Sequence, residues 1–194
     1  ELGIFKINIP GMHNISNALA AISVAIEIGI DIKPIRDALE NFKNSDRRFE
    51  ILFSCKGITV IDDYAHHPGE ITATLNAGRQ FLNANNGKRL IAVFQPHLFS
   101  RTQMLYEGFA KSLLLADKIF LTEIYPAREK PIPGVKTALI FDLLKESNAD
   151  VTFVEKVDDL SSVLLDEIKE DDVLITLGAG NITKIAHEIS DKLK

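Results

Sequence analysis

Apolar and polar positions change rhythm once along the chain. Residues 2–9 read as an extended apolar segment closed by Pro10-Gly11. Residues 18–26, Ala-Leu-Ala-Ala-Ile-Ser-Val-Ala-Ile, have the composition of a buried helix that stops near Gly29. Residues 33–42 place Ile35, Leu39 and Phe42 on one side, the spacing of an amphipathic helix. A short polar stretch, Asn44-Ser45-Asp46, then interrupts the pattern, and a domain boundary is set there, dividing residues 1–45 from 46–194.

Beyond the boundary, strand and helix patterns alternate. Residues 49–55 and 58–61 are two strands joined around Lys56-Gly57 as a hairpin. Residues 68–83 form a helix ended by Asn85-Asn86-Gly87. The run Leu90-Ile91-Ala92-Val93-Phe94 is apolar on both faces, as in a parallel sheet. Further strands fall at 118–122, 151–154 and 173–177, with helices at 102–116, 137–146, 159–168 and 182–193. Such alternation predicts βαβ units and an α/β fold with a doubly wound, mostly parallel sheet, preceded by a helical N-terminal piece. The polar turns 62–68, 95–102, 123–134 and 178–181 all follow strands. They therefore gather at the carboxyl edge of the sheet, where open α/β folds bind ligands.

Composition narrows the class without changing the fold. Of 194 residues, 46% are hydrophobic and 25% charged, as in ordinary globular proteins, and no apolar run reaches the length of a membrane span. A net charge of −5 argues against a broad nucleic-acid-binding face but leaves room for a local phosphate pocket. The N-terminus lacks both the basic region and the long apolar stretch of a signal peptide, and it lacks a starting Met, so the chain reads as a piece of a longer one. Cys55 is the single cysteine. It rules out an internal disulfide, is expected to be a small buried hydrophobe, and fits a reducing cytoplasm.

The chemistry-bearing residues sit on the turns. Asp62-Asp63-Tyr64-Ala65-His66-His67-Pro68 crowds two carboxylates, a phenol and two imidazoles between a strand and a helix, with Pro68 suited to the first helical position. Gln95-Pro96-His97-Leu98-Phe99-Ser100-Arg101-Thr102 offers an imidazole, hydroxyls and a guanidinium able to grip a carboxylate or phosphate, although Ser100 could equally cap a helix with Arg101 exposed. Arg47-Arg48 at the boundary is either a phosphate-neutralising pair or a solvated one. Residues 125–134 form a stiff loop with three prolines, either a cover over a site or a surface connection. Gly178-Ala179-Gly180-Asn181 opens the last helix; its glycines suit either an anion cradle or a tight turn. Adjacent His66 and His67 lack metal-ligand spacing, so no permanent transition metal is expected. His187, on the last helix, reads as structural.

Together, six ordered stretches carry a resemblance: residues 11–18, Arg47-Arg48-Phe49, the 62–68 turn, Gln95-Pro96-His97 with Ser100-Arg101-Thr102, the 125–134 loop, and Gly178-Ala179-Gly180-Asn181-Ile182. With these motifs the chain resembles the Mur ligase family of bacterial cell-wall synthesis, in its L-alanine-adding branch. The resemblance implies residues 46–194 as the C-terminal, Rossmann-like amino-acid-binding domain and residues 1–45 as the tail of a central ATP-binding domain. It implies an ATP-dependent ligase that activates the carboxylate of UDP-N-acetylmuramate as an acyl phosphate and couples it to L-alanine. ATP with Mg²⁺ would be bound mainly by the central domain. It implies nucleotide contacts from Asn14, Asn17, Arg48 and Asp63, and a substrate pocket of Tyr64, His67, His97 and Arg101. No catalytic residue and no metal ligand is assigned within these residues.

Two departures qualify the resemblance. Leu98 stands where many members carry a second arginine, and the sequence contains no Gly-x-x-x-x-Gly-Lys-[Ser/Thr] P-loop. The chain alone is therefore expected to be inactive. Its expected partners are the three small molecules, with no nucleic acid and no membrane. The competing readings are a recycling muramyl-peptide ligase of the same family, a non-catalytic nucleotide- or amino-acid-binding module, and a metal hydrolase built on Asp62, Asp63, His66 and His67.

Overall fold

A computed structural model describes residues 2–9, 11–42 and 45–194, with His13 described by its backbone alone. Pro10, in the predicted Pro10-Gly11 stop, and Asn44, in the predicted boundary, lie outside the described residues. The chain divides into two compact units, residues 1–46 and 47–194.

The first unit holds helices α1 (Met12–Glu27) and α2 (Ile32–Asn41). Helix α1 ends at Gly29, whose φ of 83° is left-handed; Ile30 N–H reaches Ala25 O and Gly29 N–H reaches Ile26 O. This is the paired closure that glycine permits at a helix C-terminus. Residues 2–9 form no strand. They run beside α2, where the Arg36 guanidinium donates to Leu2 O and the Asn8 amide to Glu40 O. The expectation of a buried helix at 18–26 does not hold within this chain. Only Asn14 and Ile22 of the described α1 side chains are buried, while Met12, Leu19 and Val24 are 67%, 59% and 61% exposed. A small two-helix unit has too little apolar surface to cover a helix that is apolar nearly all round.

The second unit is built on a six-stranded sheet: β1 (Glu50–Cys55), β2 (Ile58–Asp63), β3 (Arg89–Phe94), β4 (Lys118–Thr122), β5 (Val151–Val154) and β6 (Asp172–Leu177). The spatial order is β1-β2-β6-β3-β4-β5, with β1 antiparallel to β2 and every other pairing parallel. Lys56 and Gly57 both take positive φ, 51° and 76°, which matches the right-handed twist of a two-residue hairpin. Helices α3 (Pro68–Ala84), α4 (Phe99–Leu113) and α5 (Ala138–Glu146) cover one face. Helices α6 (Leu160–Glu167) and α7 (Thr183–Leu193) cover the other.

Successive strand residues feed the two cores alternately. Leu90, Ala92 and Phe94 join Ile71, Leu75, Phe109 and Leu113 on one side; Ile91 and Val93 join Leu164, Ile185 and Ile189 on the other. Burying each such side chain contributes about 1.5–3 kcal/mol before chain entropy is counted. At the amino edge of the sheet, Arg89 pairs with the buried Asp172 and with Glu167. Among the described residues no helix is long and apolar enough to cross a membrane.

Cys55 corrects an expectation, because it is exposed. Strand β1 is the sheet edge, and Cys55 is its last residue before the hairpin turn, so little packs over it.

Candidate functional site

Strand β2 delivers Asp62 and Asp63 to the carboxyl edge, and helix α3 starts five residues later. His67 caps that helix: its Nδ1 accepts Gly69 N–H at 3.2 Å, and Glu70 Oε2 accepts the N–H groups of His66 and His67. This reciprocal arrangement satisfies donors that a helix start leaves open. Burial raises the Glu70 pKa, but these N–H groups and the charges of His66 and Arg48 outweigh it and hold the carboxyl below its usual range.

The two aspartates face opposite ways and are both engaged. Asp62 is fully buried; Oδ2 accepts Arg47 Nε–H at 2.9 Å and the Thr183 hydroxyl at 2.8 Å, and Oδ1 accepts the Thr176 hydroxyl at 2.6 Å. Asp63 accepts Phe49 N–H on Oδ2 and Ala65 N–H on Oδ1, each at 2.8 Å. Burial pushes its pKa up, against the pull of those N–H groups and of Arg48. Among the described residues no three His, Cys, Asp or Glu side chains gather as a metal site. The carboxylates that a metal hydrolase would use are instead directed at protein donors.

The adjacent arginines have separate fates. Arg47 turns inward: besides Asp62, its Nη2 donates to Gly178 O at 2.6 Å, and its guanidinium carbon lies 4.9 Å from the centre of the Tyr64 ring. Arg48 stays exposed, 5.7 Å from the same ring and 3.9 Å from Glu70 Oε1.

Across the turn, a ladder of rings links the motifs. Tyr64 meets His66 edge-on at 5.2 Å, His66 lies 6.2 Å from His97, and His97 stacks on Tyr125 at 5.6 Å and 19°. The neighbours of His66 Nδ1 are Tyr64 O at 2.9 Å and Glu70 Oε2 at 3.4 Å. Both are acceptors, so this nitrogen bears the proton. Arg101 Nη1 lies 3.4 Å from His97 Nδ1. Burial, then the Arg101 charge, then His66, lowers the His97 pKa, which favours neutral imidazole.

The proline-rich loop is fastened to this edge rather than loose on the surface. Tyr125 exchanges backbone hydrogen bonds with Pro96 and Leu98, and Glu129 accepts the N–H and hydroxyl of Ser100. Ser100 therefore is not an N-cap; α4 has begun at Phe99, and the hydroxyl holds the loop.

The glycine turn is a packed joint. Gln95, 4% exposed, accepts Ile182 N–H on Oε1 and donates from Nε2 to Asn181 Oδ1. A Cβ on Gly180 would strike Gln95 Oε1 and come within 2.7 Å of Tyr125 Cγ. The glycine thus admits protein side chains, and the amide at Ile182 is already used.

Of the expected residues, the structure gathers Tyr64, His97 and Arg101, with Arg48 and Asp63 around Tyr64. His67 lies exposed at the helix cap, and His66 is the imidazole in the ring ladder. Asn14, buried, and Asn17, exposed, lie three residues apart on α1 of the other unit. Arg47, His66, Gln95 and Tyr125 stand in the motifs read from the sequence but not among the expected ligand contacts. The capping pattern His67-Pro68-Gly69-Glu70 already assigns His67 a structural task.

The family model described as Mur ligase, glutamate ligase domain, matches residues 47–180. The UDP-N-acetylmuramate–L-alanine ligase of Persephonella marina is 48% identical over the whole chain, which spans 42% of that relative. The crystal structure of UDP-N-acetylmuramate-alanine ligase MurC from Thermotoga maritima aligns with a TM-score of 0.82 at 34% identity, covering 97% of this chain and 39% of that one. A murein peptide ligase from Psychrobacter arcticus aligns with a TM-score of 0.69 at 27% identity, covering 97% and 38%. The chain thus spans about two fifths of the length of the relatives it matches.

Proposed function

The chain belongs to the Mur ligase family, and on that premise we propose that it is the C-terminal part of an ATP-dependent ligase joining L-alanine to UDP-N-acetylmuramate in peptidoglycan synthesis. Residues 1–45 are the tail of the central ATP-binding domain, and residues 46–194 the domain that receives the amino acid. ATP phosphorylates the muramate carboxylate, and the alanine amine displaces phosphate from the acyl phosphate to form the amide. ATP and its Mg²⁺ are held mainly by the central domain, and the enzyme works in the cytoplasm.

The observation that carries the reading is the corner formed by His97 and Arg101 beside Tyr64 and His66. A guanidinium beside the His97 imidazole at the carboxyl edge of the sheet suits a small amino-acid carboxylate. A neutral imidazole there also leaves the attacking amine free of a competing charge. His67, at the mouth of the α3 cap, contributes through its exposed ring. Arg48 reaches the nucleotide phosphates, Asp63 the ribose, and Asn14 and Asn17 the adenine. The closer alignment to an alanine ligase than to a murein peptide ligase, TM-score 0.82 against 0.69, favours alanine over a whole peptide.

The test joins these residues to the upstream part of their natural chain. Phosphate release is then measured with UDP-N-acetylmuramate, ATP and single amino acids or the muramyl tripeptide. Release that requires all three substrates and prefers L-alanine is expected, and the 194 residues alone are expected to be inactive. Preference for the peptide, or activity of the 194 residues by themselves, contradicts the proposal.

A further inference from the structure

The geometry points to Arg47, braced by the buried carboxylate of Asp62, as a positioning residue that aims two proposed ligand contacts at once, the Arg48 guanidinium and the Tyr64 ring. The inference deepens the ligase reading and rests on it.

The segment Arg47-Arg48-Phe49 is strained on both sides of its centre. Arg47 and Phe49 take φ of 59° and 48°, a region that side chains other than glycine enter at a cost. Such strain persists only where neighbours over-determine it, and the neighbours here are the two adjacent aspartates together with Glu50, which accepts the Arg47 N–H. Asp62 grips the Arg47 side chain, and Asp63 grips the Phe49 amide. Phe49 is also buried in the core, so neither end of the tripeptide can relax. Arg48 lies between the two grips, its direction set by them.

Arg47 also fixes Tyr64. Its carbonyl accepts Tyr64 N–H at 2.7 Å, while its guanidinium lies against the ring. Its Nη2 bond to Gly178 O ties the arrangement to the end of β6, and its own N–H donates to Glu50 Oε2 at 2.8 Å. One side chain thereby joins the domain boundary, the 62–67 turn and the 178–181 turn. Asp62 contributes because it is fully buried and its other acceptor positions are filled by Thr176 and Thr183, which leave it one orientation toward Arg47. A planar guanidinium can serve Asp62, Gly178 and the Tyr64 face together; an ammonium cannot.

The test uses the full-length ligase carrying these residues, with KM for ATP and for L-alanine, kcat and Tm measured in parallel. Arg47→Lys keeps the charge opposite Asp62 but loses the fork. Both KM values are expected to rise about fivefold or more while Tm moves by only a few degrees. Thr183→Ala, which removes one donor from Asp62 and touches neither arginine, is expected to raise both about twofold, and it carries the test if the lysine variant does not fold. A residue with a merely structural task would lower Tm and the active fraction, hence apparent kcat, and leave both KM values in place; that result overturns the inference. An unmodified enzyme that forms no amide refutes the ligase reading itself, and this inference with it. An active enzyme whose variants keep both KM values refutes the inference alone.

Discussion

Replacing Gly180 by alanine separates two meanings of the Gly178-Ala179-Gly180-Asn181 turn. If the glycines exist to let an anion approach backbone amides, one methyl group should leave the fold intact. In the structure the space belongs to Gln95 and Tyr125: the new Cβ meets Gln95 Oε1 and lies 2.7 Å from Tyr125 Cγ and 2.9 Å from Tyr125 Cβ. The φ of Gly180 is not left-handed, so the cost is steric crowding rather than backbone strain. Overpacking a dense site costs about 1–3 kcal/mol. Pushing the Gln95 amide aside strips the acceptor from the Ile182 N–H, adding on the order of 1–2 kcal/mol for an unmet buried donor. The expected loss is therefore about 2–5 kcal/mol, or roughly 4–20 °C in Tm for a unit of this size, read by circular dichroism on the purified chain. Gln95→Ala removes one of the colliding groups, so the double variant should cost less than the two single changes together by about 1 kcal/mol. A Gly180→Ala chain that melts within about 1 °C of the original, yet loses stabilisation by added phosphate, would falsify the packed-joint account.

His97 should titrate below the ordinary value of 6.5, followed by its ring proton shifts. The unfolded chain then takes up a proton that the folded chain refuses, so stability should fall as pH drops below about 6.5; removing the nearby cation in Arg101→Gln should move the midpoint part of the way back up, and an unchanged midpoint contradicts the coupling. Cys55 should react with a thiol-specific disulfide reagent in the native chain as fast as in denaturant, and slow native labelling would contradict its exposure.

The strands at 89–94, 118–122 and 173–177 were legible because a parallel strand buried on both faces leaves a short, near-continuous run of apolar residues. The convergence of the turns was legible for the same reason: alternation dictates which end of each strand they leave. What escaped depends on neighbours rather than spacing. Arg47 and Arg48 are adjacent and identical in type, and only the strained backbone sends one inward to Asp62 and leaves the other exposed. His66 and His67 are likewise divided by the helix start, which takes the second imidazole for its cap. Cys55 was misjudged because its strand is apolar in composition but stands at the edge of the sheet. The glycine turn stayed open between an anion cradle and a tight turn because glycine serves close approach of any kind, and the partner, Gln95, follows another strand.

The position of β6 sets the order in which this domain can be completed. It is the last strand in the sequence, yet it lies between β2 and β3 and pairs with both. During synthesis on a ribosome, Thr59 must wait for Val173, and Arg89 for Asp172, before either strand acquires its inner neighbour. Until then β2 and β3 present two unpaired apolar edges, the kind that seek partners on other chains. Pairings this distant in sequence also slow folding. Truncation anywhere before residue 172 should therefore leave the sheet split down its middle rather than shortened at one side, and nascent chains of that length are the species a chaperone would be expected to hold.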